Sequence, residues 1–164
     1  MSDYLIVVVN RALARFFTLE PVEFPELESG PIIKEGMQLA NPDIGDAQEL
    51  FTDSKTGCGA APQGGGAVHG YEDHRDQHLD EVRRRFSVEV MDRVRKLAKH
   101  HKVRTIVLVS SARMRQFLYQ HTDALERQGY RMVKVPKNMI NFTPQKIHKY
   151  LAGDRLIPGQ EMVL

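Results

Sequence analysis

A glycine-rich run that gives way to the longest helical pattern in the chain limits what this sequence can fold into more than any other feature. Gly57-Cys58-Gly59-Ala60-Ala61-Pro62-Gln63-Gly64-Gly65-Gly66-Ala67-Val68-His69-Gly70 has almost no large apolar side chain with which to order itself, and predicts a flexible loop over 52–71. From Glu72 the character changes. Leu79, Val82, Phe86, Val90, Val94 and Leu97 recur at steps of three and four, the stripe of an amphipathic helix resting on a core. Acids at Glu72, Asp73 and Asp76 sit at its predicted head and Lys96, Lys99 and Lys102 at its tail, as the helix dipole favours. At ~1.5 Å of rise per residue, a helix over 72–101 is about 45 Å long, which is very long for one domain.

A chain of 164 residues accommodates one domain with an extension, and the expected division is an α/β domain over 1–153 and a tail over 154–164, a loose strand or a frayed end. No apolar run approaches the ~18 residues needed to cross a bilayer, so no membrane partner is expected. The start, Tyr4-Leu5-Ile6-Val7-Val8-Val9, reads as a first strand, and the expected location is cytoplasmic. Cys58 is the single cysteine, which excludes an internal disulfide and a multi-cysteine zinc knuckle. A net charge of +2 permits contact with RNA or phosphate without requiring it, and no DNA partner or cofactor is implied.

Taken in order, residues 4–9 predict a central strand, 15–19 a returning strand and 32–39 a third, with one helical turn over 44–51. After the long helix, 104–109 predicts a strand, Ser110-Ser111 an N-cap, and Met114, Phe117, Leu118, His121 and Leu125 the face of one helix that Gly129 stops. A strand over 130–135 and a helix over 144–151, capped by Thr143-Pro144 and followed by Gly153, complete the pattern. The expected fold is therefore α/β: a single three-layer domain with a mixed five-stranded sheet of ribonuclease H-like topology (βββ-α-β-α-β-α) and one very long helix.

That order resembles the middle domain of archaeo-eukaryotic class-1 peptide release factors and, more closely, the host attachment proteins, their small bacterial relatives. The residues that carry the resemblance are Leu5-Ile6-Val7-Val8-Val9-Asn10-Arg11-Ala12-Leu13-Ala14-Arg15-Phe16-Phe17, then Leu39-Ala40-Asn41-Pro42, Glu49-Leu50, Asp53-Ser54-Lys55-Thr56-Gly57, Glu81 and Phe86, Ile106-Val107-Leu108-Val109-Ser110, and Val135-Pro136-Lys137-Asn138-Met139 through Thr143-Pro144. Release factors hydrolyse peptidyl-tRNA with a Gly-Gly-Gln tip on this loop. Here the order is Gln63-Gly64-Gly65-Gly66, so the resemblance implies the fold without the termination activity.

What remains points to a non-catalytic protein that binds RNA, the ribosome or tRNA, or a protein partner through the glycine-rich loop and long helix, with Gln63, Gly64, Gly65, Gly66 and His69 as the candidate loop. Arg11, Arg15, Arg83, Arg84 and Arg85 are candidate phosphate contacts, although Glu81, Glu89 and Asp92 offer the same helix local partners. The alternative is a hydrolase, acting on peptidyl-tRNA or dependent on a metal, that uses Gln63 or the His69/His74/His78 group. His74 and His78 at i, i+4 share a helix face, the spacing that metal ligation needs, but two imidazoles also occur together on solvated helix starts. Asn10 and Ser110 stand where a two-metal nuclease would carry carboxylates, and Gly64-Gly65-Gly66 is not followed by the Gly-Lys-Ser/Thr of a phosphate loop.

Overall fold

Val7 and its neighbours are apolar and largely β-branched without interruption, and such a run is stable only as a strand covered on both faces. The computed structural model describes residues 3–44 and 66–160, with side chains from Asp76 onward in the second span, and it places β1 (Tyr4–Val9) at the centre of a mixed six-stranded sheet. Asn10 makes the turn that follows. Its Oδ1 accepts from the backbone N–H of Ala12 (2.9 Å) and Leu13 (2.8 Å), sending β2 (Leu13–Glu20) back antiparallel to β1. On the other side of β1 lies β5 (Thr105–Ser110), parallel to it, and beyond that β6 (Arg131–Val135), also parallel.

The other edge differs from expectation. Instead of one strand over 32–39, two short strands, β3 (Ile32–Glu35) and β4 (Leu39–Ala40), pair with β2, giving six strands where five were expected. Phe17 is opposite Glu35 and Ala14 is opposite Leu39, so Gly36, Met37 and Gln38 face only Arg15 and Phe16. One surplus residue cannot be absorbed into a regular ladder, and the strand bulges there; the Gly36 N–H still reaches the Phe16 carbonyl at 2.8 Å.

Helix α1 spans Gly66–His101 (36 residues), starting earlier than the expected Glu72. A helix already nucleated gains one hydrogen bond for each residue it adds, which offsets the backbone entropy of the glycines. Its first turn therefore holds no acid, while Lys99, His100 and His101 complement the dipole at its last. Phe86, Val90, Met91, Val94 and Ala98 bury one stripe of α1 among Leu5, Val7, Val9, Ile106 and Leu108. The alternate residues Ile6, Val8, Val107 and Val109 join Ile147 and Leu151 of the last helix in a second cluster, so apolar cores occupy both faces of the sheet.

The single helix expected after β5 is two: α2 (Ala112–Tyr119) and α3 (Thr122–Arg127). Thr122 is buried between them and its hydroxyl donates to the Tyr119 carbonyl at 2.9 Å, satisfying a group that a continuing helix would have paired with a backbone N–H. Ser111 occupies the expected N-cap position of α2 but makes no side-chain cap bond. Thr143 does cap α4 (Pro144–Gly153), accepting from the Lys146 N–H at 3.1 Å. The segment after α4 is neither strand nor frayed end over its described part. Ile157 is buried, the Leu156 N–H reaches the Leu151 carbonyl at 3.0 Å, and His148 Nε2 lies 2.9 Å from the Pro158 carbonyl oxygen. Gln63, Gly64, Gly65 and the expected turn over 45–51 lie outside the described residues.

Candidate functional site

A basic residue in a strand flanked by apolar side chains has to find partners or stay unburied, and Arg15 finds them on three segments. It is 8% exposed and donates from Nε and Nη2 to Glu35 (2.8 Å each), and from Nη1 to the carbonyls of Ile140 (2.9 Å) and Phe142 (2.6 Å). Its guanidinium also lies 5.0 Å from the Phe17 ring centre. These bonds commit Arg15 to the interior, with its donors taken up by Glu35 and the two carbonyls. What it does is tie the connection between β6 and α4 to the sheet.

That connection carries the most unusual surface of the described chain. Between Glu126 and Asp154 there is no carboxylate, while Arg127, Arg131, Lys134, Lys137, Lys146 and Lys149 all fall there. Buried Met139 and Ile140 anchor the loop, and Asn138 Oδ1 accepts from the Ile140 N–H at 3.3 Å. Phe142 and Tyr150 then meet edge to face at 6.5 Å. Lys137 Nζ sits 4.0 Å over Tyr150, and Lys146 Nζ 4.1 Å over Phe142. Across the β6 edge, Lys134 Nζ is 4.9 Å over Tyr119. An aromatic face attracts an ammonium by only about 0.5–1 kcal/mol at an exposed site, and it neutralises no charge. These lysines have no carboxylate partner among the described residues, so their field is uncompensated.

The arginines of α1 are placed otherwise. Arg83 pairs with Asp80 (3.0 Å), Arg84 with Glu81 (2.7 Å) and Arg85 with the same Glu81 (3.4 Å), while Arg84 also lies 5.7 Å from the Phe117 ring centre. Arg11 is half-buried at the β1–β2 turn, where its carbonyl accepts from Asn41 Nδ2 at 2.9 Å. Ser110 is fully buried and its Oγ has no hydrogen-bond partner among the described residues. Gly66 is the first residue of α1, and His78 is exposed on it. The side chains of His69 and His74 lie outside the described residues. Among the described residues, no group of three His, Cys, Asp or Glu is placed to hold a metal ion.

Among the described residues, the surroundings of two carboxyls and one imidazole shift them from their ordinary values. The Arg15 hydrogen bonds hold Glu35 below its ordinary 4.5, with Gln38 assisting and burial opposing. The Lys34 hydrogen bond does the same for Glu20. Burial, and then the Arg95 charge, lower His121 from 6.5. A carboxyl depressed in the fold contributes its full stability above its unfolded value, and loses it as pH falls through the folded one. Glu35→Gln is therefore expected to destabilise the protein at neutral pH, with the difference from wild type vanishing well below pH 4.5 in denaturant titrations. A difference independent of pH would show that the Arg15–Glu35 pair does not couple to protonation.

The lysines without a carboxylate partner escaped the reading of the sequence, although the acid-free stretch was visible there as a run of one charge sign. Together these features define an α/β protein with charge gathered at one edge of an open mixed sheet. The chain belongs to the family described as "Protein required for attachment to host cells", which matches residues 5–151. That description names attachment and no reaction. No curated protein and no solved structure matches the chain. Among the described residues no helix is long and apolar enough to cross a membrane.

Proposed function

We propose that this is a non-catalytic binding module of cytoplasmic location whose partner is RNA, met first by the edge formed by β6, the loop after it and α4. The observation that carries the reading is the set Lys134, Lys137 and Lys146, placed over Tyr119, Tyr150 and Phe142, together with exposed Lys149 on α4, all without a carboxylate partner among the described residues. Phosphates take up cations that are not already neutralised, and bases stack on rings, so lysines interleaved with aromatics suit a single strand. The strand order β3-β2-β1-β5-β6, with apolar cores on both faces, supports a ribonuclease H-like arrangement of the kind found in release-factor middle domains. In this reading α1, about 54 Å at ~1.5 Å per residue, is a rigid lever that offers the same partner a second surface. Its Arg83, Arg84 and Arg85 contribute less, because Asp80 and Glu81 pair with them and offset two of their three charges.

Fluorescence anisotropy with a labelled single-stranded RNA tests this directly. If four lysines contact phosphates, the logarithm of the binding constant falls against the logarithm of salt concentration with a slope of about −3. Replacing Lys137, Lys146 and Lys149 together with glutamate is expected to weaken binding at least tenfold and flatten that slope. Replacing Arg84 and Arg85 with glutamine should change it little. Binding that ignores salt, or that depends on Arg84 and Arg85 instead, would overturn the assignment.

A further inference from the structure

The bulged edge opposite β6 encloses a second feature, independent of the RNA reading. Between α1 and the β2–β3 edge lies a cleft of about 390 Å³, within the range that holds small-molecule ligands. Its apolar lining comes from Leu5, Phe16 and Leu97, and its rim from Met37, which is 80% exposed because the surplus residue of the bulge carries it outward.

The charges around this cleft decide what it suits. Glu20 is held by Lys34 at 2.7 Å, and Glu35 by Arg15 at 2.8 Å, so both carboxylates lining the cleft are already neutralised. The hydrogen bond from Lys34 keeps the Glu20 carboxyl below its ordinary range and hence ionised and paired. Arg93 remains. It lines the same cleft, is half-buried, and makes no hydrogen bond or ion pair among the described residues. His101, two turns and more further along α1, extends the lining on the same side. A half-buried guanidinium above an apolar floor, with both acids that line the cleft committed to other cations, offers a planar anion the fork of donors for which it is shaped.

We propose that this cleft binds a small amphipathic carboxylate, its apolar chain or ring lying on Leu5, Phe16 and Leu97 and its carboxylate paired with Arg93. Met37 closes over the apolar part, since an unbranched thioether adapts to whichever chain is present. Binding here makes no use of the β6–α4 edge, so it is expected to proceed with RNA bound or absent.

Calorimetric titration of the full chain with octanoate, octanol and octyltrimethylammonium, three probes with one chain and different heads, separates the charge from the floor. Octanoate is expected to saturate one site and to bind at least tenfold more tightly than octyltrimethylammonium. Arg93→Gln should remove at least tenfold of the octanoate affinity while leaving octanol binding and the melting temperature unchanged. Arg93→Lys should retain part of it. Equal binding of the anionic and cationic probes, no saturable octanoate binding, or an Arg93→Gln variant that binds octanoate as wild type does would each overturn the proposal. Retained octanoate binding in the triple lysine variant that has lost RNA would support it and separate the two surfaces.

Discussion

Replacing Phe86 with alanine is expected to lower the free energy of unfolding by about 3–5 kcal/mol, the range for a large aromatic removed from a close-packed core. Phe86 is 1% exposed and packs in the cluster that joins α1 to Leu5, Val7, Leu108, Met114 and Leu118. Neighbouring side chains there belong to strands and to other helices, so the space left behind cannot collapse without moving several elements. For a chain of this length each kcal/mol lowers the melting temperature by about 2–4 °C, and a fall on the order of 10 °C is expected in a calorimetric or circular dichroism melt. Val88, two residues on and 52% exposed, provides the control on the opposite face of the same helix. Val88→Ala should stay within about 0.5 kcal/mol of wild type. Comparable losses at the two positions would mean that α1 does not rest on the sheet by the stripe containing Phe86.

Arg15→Ala is expected to be nearly as damaging, by about 3 kcal/mol or more, for a different reason. The substitution leaves the carbonyls of Ile140 and Phe142 without the donor they have now, and leaves Glu35 without its guanidinium partner. Unlike the cavity at Phe86, the loss comes from polar groups stripped of partners after water has been removed from them. Arg15→Lys keeps the charge but lacks the fork that reaches Glu35 and both carbonyls together, so it should recover only part of the loss. The consequence extends to the loop after β6. Since Arg15 fastens the backbone on either side of Asn141, the variant should also weaken RNA binding at temperatures where the fold persists, by loosening Lys137 and Phe142. Full stability in denaturant melts of Arg15→Ala would refute the strut.

The contrast between these two residues shows which parts of the fold were legible in the sequence. Phe86 announced itself through spacing: it recurs with Val82, Val90 and Val94 on one helical face, and each of the four is buried. The same holds for β1 and β5, whose unbroken apolar runs predicted strands covered on both sides, and for α4, whose Thr143-Pro144 start is a local signal. Arg15 carried no such signal. As a lone cation near a strand end it read as available for phosphate, and nothing local revealed that Glu35 and the carbonyls of Ile140 and Phe142 would converge on it.

The surroundings of the arginines at 83–85 follow a related rule. A cluster of cations in sequence is a cluster of charge only if no acids face it, and on a helix Asp80 and Glu81 are one turn away. Lys134, Lys137 and Lys146 are sparser along the chain, yet the fold gathers them over Tyr119, Tyr150 and Phe142 with no acid paired to them among the described residues. Likewise the edge strand over 32–39 had a continuous look in one dimension. Only its pairing with β2 exposed the surplus residue that breaks it into β3 and β4.

By itself, then, the sequence determined the central strands, the stripe by which α1 rests on them and the capped start of α4, because each follows from the period of apolar residues or from a cap within a few positions. Tertiary structure decided the bulge at Gly36, the burial of Arg15, and which cations are left unpaired over the aromatics and above the cleft at Arg93. Those outcomes depend on side chains distant in sequence meeting in space, where an ion pair, a surplus residue or an empty volume is settled between elements and leaves no periodic trace along the chain.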